Sequence, residues 1–154
     1  MNNHIGPPRR PGKRRRSPGI RVAPIGYRAA VTFLSDRLVA AVPPGHHQAL
    51  AAISPGGSLI GVAVFGRPRD PALDDGTTAQ ITRLTTDTPA AQPPLVRAAW
   101  RAARRLGYQR LICDIPADDA VTPPELRAAD LRQLPTEPGS PINRWEIRTR
   151  KRTP

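Results

Sequence analysis

The stretch Pro93-Pro-Leu-Val-Arg-Ala-Ala-Trp-Arg-Ala-Ala-Arg-Arg-Leu-Gly107, resumed after Tyr108-Gln-Arg by Leu111-Ile-Cys-Asp-Ile115, decides the fold of this 154-residue chain. Leu95, Val96, Ala99, Trp100, Ala103 and Leu106 recur at helical spacing on one stripe, and Arg97, Arg101, Arg104 and Arg105 fall outside it. A proline pair is tolerated in a first helical turn, where a missing N–H has no partner to lose. Gly107 suits the left-handed stop just past a helix end. The run Leu111 to Ile115 has little polar interruption, as expected of a strand covered on both faces, which places Cys113 and Trp100 in the core. Upstream, Thr78 to Thr86 reads as a strand with Ile81 and Leu84 as its clearest apolar members. Strand, loop, helix, strand is a βαβ crossover, so the two strands are expected to be parallel with the helix on one sheet face.

Around this unit the pattern extends in both directions. His46 to Ser54 and Ser58 to Gly66 flank the turn signal Pro55-Gly56-Gly57 and predict an antiparallel hairpin. Tyr27, Ala30, Val31, Leu34, Leu38 and Val39 predict a helix ended by Pro43, Pro44 and Gly45. Arg67 to Thr77 is a polar loop, Glu125 to Arg132 a short helix behind Pro123-Pro124, and Asn143 to Arg148 an edge strand. The expected architecture is α/β, a mixed sheet with a central βαβ crossover and flanking helices, over residues 25–148.

The net charge of +12 is not spread evenly. Arg9, Arg10, Lys13, Arg14, Arg15, Arg16 and Arg21 stand in residues 1–24 with no acidic residue, and the C-terminal end is basic again through Lys151 and Arg152. The interior is nearly neutral. An Arg- and Pro-rich arm buries too little apolar surface to offset its ordering entropy, so 1–24 and 149–154 are expected to be disordered basic tails. Such tails either contact the phosphates of DNA or RNA, Arg9 to Arg16 foremost, or serve as a solubilising composition, since the chain is rich in Arg, Ala and Pro throughout. One cysteine excludes an internal disulfide and the cysteine-rich zinc sites, and three histidines give no basis for a metal site. The longest apolar stretch, Leu59 to Gly66, is far below the ~20 residues of a membrane span, and the basic start leads into prolines rather than an apolar signal core. The expected location is cytoplasmic; the oligomeric state is not legible.

The run Gly61-Val-Ala-Val-Phe-Gly-Arg-Pro68, then Leu73-Asp-Asp-Gly-Thr77, Ile81-Thr-Arg-Leu84 with Asp87, Ala98 through Tyr108 and Arg110-Leu-Ile112 resembles the Mom-like branch of the GNAT acyltransferase superfamily. The likeness spans about residues 25–148. It implies a GNAT-like fold, an acyl-CoA cofactor such as acetyl-CoA, no metal, and an amine acceptor, in this branch a nucleic-acid base. The chain also departs from the pattern. Gln80 stands where the family usually has Glu, and a neutral amide hydrogen-bonds but cannot take a proton as a carboxylate does. Ser35-Asp-Arg-Leu38 replaces a His-rich cluster, with only Gly45-His46 near it. The loop Thr86 to Pro94 lacks the glycines that usually hold the cofactor, and its three prolines, Pro89, Pro93 and Pro94, remove backbone donors.

The resemblance makes Gln80, through a bound water, and His46 the candidate catalytic residues. Thr85, Thr86, Thr88, Gln92 and Arg97 are the candidate cofactor contacts, by hydrogen bonds or, for Arg97, a phosphate contact from the first helical turn. Arg67, Asp74, Asp75 and Arg83 are candidate substrate contacts. Each has a plainer reading beside it: Asp74-Asp75-Gly76 is also an ordinary turn, and the threonine loop an ordinary helix lead-in. Three functions remain open on these residues: an acyl-CoA-dependent N-acyltransferase acting on nucleic acid, a catalytically decayed GNAT-like domain kept as a nucleic-acid-binding or adaptor module, and a stand-alone small-molecule acetyltransferase for which the tails would be irrelevant.

Overall fold

The computed structural model describes residues 19–39 and 47–150. Seven strands make one sheet, β1 (Arg21–Pro24), β2 (His47–Ile53), β3 (Leu59–Gly66), β4 (Thr78–Thr86), β5 (Arg110–Pro116), β6 (Arg132–Gln133) and β7 (Ile142–Arg148), in the order β1-β2-β3-β4-β5-β7-β6. Every neighbouring pair is antiparallel except β4 with β5. Helix α2 (Gln92–Arg105) joins that parallel pair, as the crossover pattern predicts. Its prolines fall in the first turn, and Gly107 just past its end takes φ +94°, letting the Tyr108 N–H close back on the Ala103 carbonyl at 3.0 Å.

Successive residues of β3 serve opposite faces. Ala63 and Phe65 join the main core beneath α2, with Ile81, Leu95, Ala99, Leu111, Cys113 and Trp145, while Val62 and Val64 pack on Ala30, Phe33 and Leu34 of α1 (Tyr27–Asp36). Helix α3 (Thr122–Ala128) adds Leu126 to the α2 side. The site is thus built into a sheet clamped from both faces.

Five expectations need correction. Arg21 to Pro24, read as arm, form β1, which pairs with Leu50 to Ile53; edge position is what tolerates Pro24, since an edge strand can lack one N–H. The helix read over Tyr27 to Val39 ends at Asp36, with Leu38 left-handed at φ 56° and almost fully exposed; Phe33, off the predicted stripe, is buried instead. The helix read over Glu125 to Arg132 starts three residues earlier and ends four residues earlier, Thr122–Ala128, because the proline pair occupies its first turn rather than preceding it. Strand β7 is not the sheet edge, since Arg132 and Gln133 pair with Glu146 and Trp145. Trp100 is only partly buried, packed against the core rather than within it.

Candidate functional site

Pairing between β4 and β5 extends only from Thr78 opposite Arg110 to Ile81 opposite Cys113. Both strands go on, β4 to Thr86 held by β3 and β5 to Pro116 held by β7, so they part into a wedge. The cause is local. Val64 of β3 faces Arg83 and Phe65 faces Ile81, leaving Thr82 as an extra residue, and such a bulge bends its strand away from the regular ladder. The Thr82 hydroxyl donates to the Val64 carbonyl at 3.3 Å and holds the bulge. A cavity of about 150 Å³ opens between the strands, with Ile81, Thr82 and Leu84 on one wall and Cys113, Asp114 and Ile115 on the other.

The polar groups at the wedge are already tied to the protein. Asp114 receives two bonds from Arg144, at 2.7 and 2.9 Å. Asp119 accepts from the Val121 and Thr122 N–H groups and the Thr122 hydroxyl at 2.8, 3.0 and 2.7 Å, capping α3. Burial pushes the Asp119 carboxyl up, but the bonds from Thr122 and Val121 outweigh it and leave it below the ordinary value. Cys113 is fully buried and its thiol is pushed up to about 12, first by desolvation and then by Asp114, so it is no nucleophile near neutral pH.

Gln80, 6% exposed, precedes the bulge and its Oε1 accepts from the Arg69 N–H at 2.9 Å, bracing the β3–β4 loop. His46 lies outside the described residues, as do Arg9, Arg10, Lys13, Arg14, Arg15 and Arg16. Thr85 and Thr86 alternate along β4: Thr85 is opposite Val62 on the α1 face and Thr86 opposite Gly61 on the α2 face, so the pair cannot serve one ligand from one face. Thr88 opens a 3₁₀ turn, Pro89–Ala91, and makes no side-chain cap bond. Gln92 starts α2 with a buried Oε1 that has no partner among the described residues. Arg97 donates to the Ala128 carbonyl and links α2 to α3. Arg67 pairs with Asp74 at 2.8 Å across the loop, while Asp75 accepts from the Thr77 N–H and hydroxyl at 2.9 and 3.0 Å, bonds that hold its carboxyl below the usual range. Arg83 stands on the α1 face of β4, where burial first and Arg69 second lower its pKa. The structure therefore gathers Thr86, Thr88 and Gln92 at the head of α2, and keeps Gln80, Arg67 and Asp74 together on the other side of the bulge.

The head of α2 differs from an ordinary anion cradle, which relies on free backbone N–H groups. Pro89, Pro93 and Pro94 have none, the Ala91 N–H bonds the Thr88 carbonyl at 3.1 Å, and the Gln92 N–H bonds Pro89. One contact was not visible in the sequence. Arg37, at the end of α1, donates twice to Asp87 in this loop, both at 2.6 Å, and its guanidinium lies 3.4 Å from the Phe33 ring centroid. The pair raises the Arg37 pKa and lowers that of Asp87, each holding the other charged. No periodicity signals a partner 50 residues away.

This mixed sheet with its crossing helix is similar in fold to a set of solved structures. The GNAT domain of S. lividans PAT is 15% identical, with a TM-score of 0.65 over 84% of this chain and 90% of that one. A Bacillus subtilis acetyltransferase solved in complex with CoA is 13% identical, with a TM-score of 0.58 over 84% and 99%. The Salmonella typhimurium protein yncA, solved with its cofactor acetyl-CoA, is 11% identical, with a TM-score of 0.64 over 86% and 95%. This is the GNAT fold. No protein-family model matches the sequence, and no match is found among curated proteins. Among the described residues of this GNAT fold, no helix is long and apolar enough to cross a membrane, and no three His, Cys, Asp or Glu side chains gather as a metal-ligand group.

Proposed function

We propose that the chain is an acyl-CoA-dependent N-acyltransferase whose acceptor is an amine of a nucleic-acid base. The observation that supports transfer is the parting of β4 from β5 beyond Ile81 and Cys113, in a fold shared with proteins solved with CoA or acetyl-CoA. A bound acyl-CoA would supply a thioester carbonyl as acyl donor. Backbone groups of β4 beyond Ile81 that face the wedge have no β5 partner and are placed to bond an acyl arm and polarise that carbonyl. The hydroxyls of Thr86 and Thr88 and the Gln92 Nε2 amide would line the phosphate end by side-chain rather than backbone bonds, with Arg97 in the next turn of α2, while Thr85 points to the opposite sheet face. Gln80 has no basic atom. It orients a water or the acceptor, and the amine proton leaves to that water or to His46. Arg67, Asp74, Asp75 and Arg83 border the acceptor side. The resemblance to the Mom-like branch and the basic arm Arg9 to Arg16 favour a nucleic acid there, in a cytoplasmic setting.

A second reading, a non-catalytic nucleic-acid-binding module, is favoured by one observation. The amide of Gln80 is bonded to the Arg69 backbone, as a structural brace is. Thermal unfolding with and without acetyl-CoA, with a phosphorylated adenosine as control, separates the two. Acetyl-CoA at a hundredfold excess over its Kd is expected to stabilise the protein by about 2.7 kcal/mol, a Tm rise of roughly 5–10 °C for a chain of this size. No shift with acetyl-CoA or longer acyl-CoA donors overturns the transferase reading in favour of the module.

A further inference from the structure

At the opposite end of β5 from the wedge lies a groove of about 750 Å³ whose charged lining is mostly guanidinium: Arg104, Arg132, Arg148 and Arg150, against Asp130 and Glu146. Trp100 forms one wall, with Arg104 5.7 Å from its ring centroid. Glu146 contributes no free negative charge to the groove. It is completely buried and engaged by Arg110 and Arg132 at 2.7 Å each and by Arg148 at 3.1 Å. In these bonds each arginine uses a single nitrogen, Nε of Arg110 and Arg148 and Nη2 of Arg132. The other N–H groups of Arg132 and Arg148, whose side chains are 73% and 57% exposed, have no partner among the described residues and are open to a ligand. One internal carboxylate thus holds three guanidiniums in place with a surplus of positive charge.

We propose that this groove is the docking site for a nucleic-acid phosphate backbone. The inference rests on the nucleic-acid half of the reading above and is independent of acyl transfer. Planar guanidinium forks match phosphate oxygens, and holding them beforehand on Glu146 lowers the ordering cost of binding. The apolar lining is limited to Trp100 and Ile147, both partly buried against the core, and none of the large exposed apolar residues, Tyr27, Leu38, Leu106, Val121 and Ile142, lines the groove. A membrane surface or a protein partner would draw on such apolar anchors, and a phosphate backbone needs none. Strand β6 covers β7 only at Trp145 and Glu146, so the groove runs along an outer edge that no described strand occupies from Ile147 onward, and the sequence continues from Arg150 into Lys151 and Arg152. Gln80, Ile112 and Glu146 stand in one row across β4, β5 and β7. Two strand spacings separate the ends of the row, about 10 Å, so a strand docked on the Glu146 cluster passes close to the residue preceding the wedge.

The test uses the full chain, a short labelled DNA duplex and its single strand, and fluorescence anisotropy from about 50 to about 200 mM salt, the range over which phosphate contacts show their salt dependence. The variant R104E/R150E leaves the three partners of Glu146 intact, and R28E/R101E makes the same change of charge on exposed helix positions outside the groove. The groove variant is expected to lose affinity by tenfold or more, and its log–log salt slope to fall by about 1.4–1.8, the value of two phosphate contacts. The control variant is expected to stay near wild type. Equal losses in both variants, no loss in either, or no nucleic-acid binding by the wild-type chain overturns the proposal. So does binding to anionic phosphatidylserine vesicles that R104E/R150E abolishes while DNA is left unbound. An absent acetyl-CoA response with groove-dependent DNA binding would reject the transferase reading and leave this one standing.

Discussion

Gly61→Ala is the substitution for which the structure yields the clearest number. Gly61 of β3 lies against side chains of β4 and α2. A Cβ there would stand 2.9 Å from Thr86 Cγ2, 3.0 Å from Leu95 Cδ1 and 3.4 Å from the Ala52 methyl. Its backbone is outside the left-handed region, so replacing glycine would by itself stabilise the protein by about 0.4–1 kcal/mol through the unfolded chain. Forcing a methyl into a filled core costs about 1–3 kcal/mol. At the middle of both ranges the difference is a net loss of about 1.3 kcal/mol, or about 3–5 °C in Tm for a chain of this length. Urea denaturation followed by circular dichroism measures it. Thr86→Ser removes the nearest clashing atom, so G61A/T86S is expected to be more stable than the two single changes summed, though short of full recovery because Leu95 stays in contact. If G61A is as stable as wild type, or the double variant is strictly additive, the close approach of β3, β4 and α2 is wrong.

Three further outcomes follow from the same geometry. Desolvation pushes the Glu146 carboxyl up, but its bonds to Arg132, Arg110 and Arg148 prevail and hold it below the ordinary value. With a depressed folded-state pKa, its stabilisation is present above the unfolded carboxylate pKa and is lost as pH falls through the folded one; an acid-denaturation series is expected to be flatter in E146Q. Cys113, with its thiol pushed up to about 12, is expected to resist an aromatic disulfide reagent at mildly alkaline pH in the native protein and to react fully once urea unfolds it; prompt native labelling would refute its burial. Gly107→Ala, at φ +94°, is expected to cost about 1–2 kcal/mol in the same urea assay, with the loss confined to stability.

The crossover was legible because its signals are local and agree with each other: the stripe Leu95, Val96, Ala99 and Ala103, prolines where a helix tolerates them, and Gly107 where it must stop. The bounds of β4 were equally legible. What escaped were features decided by partners distant in sequence. Arg21 to Pro24 resemble the arm before them in composition, and only pairing with β2 makes them a strand. Phe33 lies off the expected stripe and is buried because Val62 and Val64 of β3 meet it, while Leu38 loses its place when the helix ends. The arginines suffered most, since a basic side chain reads the same whether it is solvated, stacked on Phe33 beside Asp87, or gathered on Glu146.

The location of the wedge is fixed by antiparallel pairing and not by the parallel strands it separates. Thr82 is inserted relative to β3, with Val64 opposite Arg83 on one side of it and Phe65 opposite Ile81 on the other. That extra residue turns β4 away from β5 whatever side chains line the gap, because a bulge alters the direction of the backbone itself. A fold whose opening is set this way keeps its shape while the lining changes. Proteins only 11–15% identical to this chain accordingly share its architecture. The same separation frees Gln80 from shaping the opening. Its Oε1 bonds the Arg69 N–H on the ordered side of the bulge, so the amide supports the β3–β4 loop while the backbone beyond Thr82 shapes the wedge. Loop support and the opening therefore rest on different atoms of one strand. Q80E tests that division: stability close to wild type with any gain confined to acetyl transfer fits it, and a large loss of stability in Q80E would show that the amide belongs to the scaffold alone.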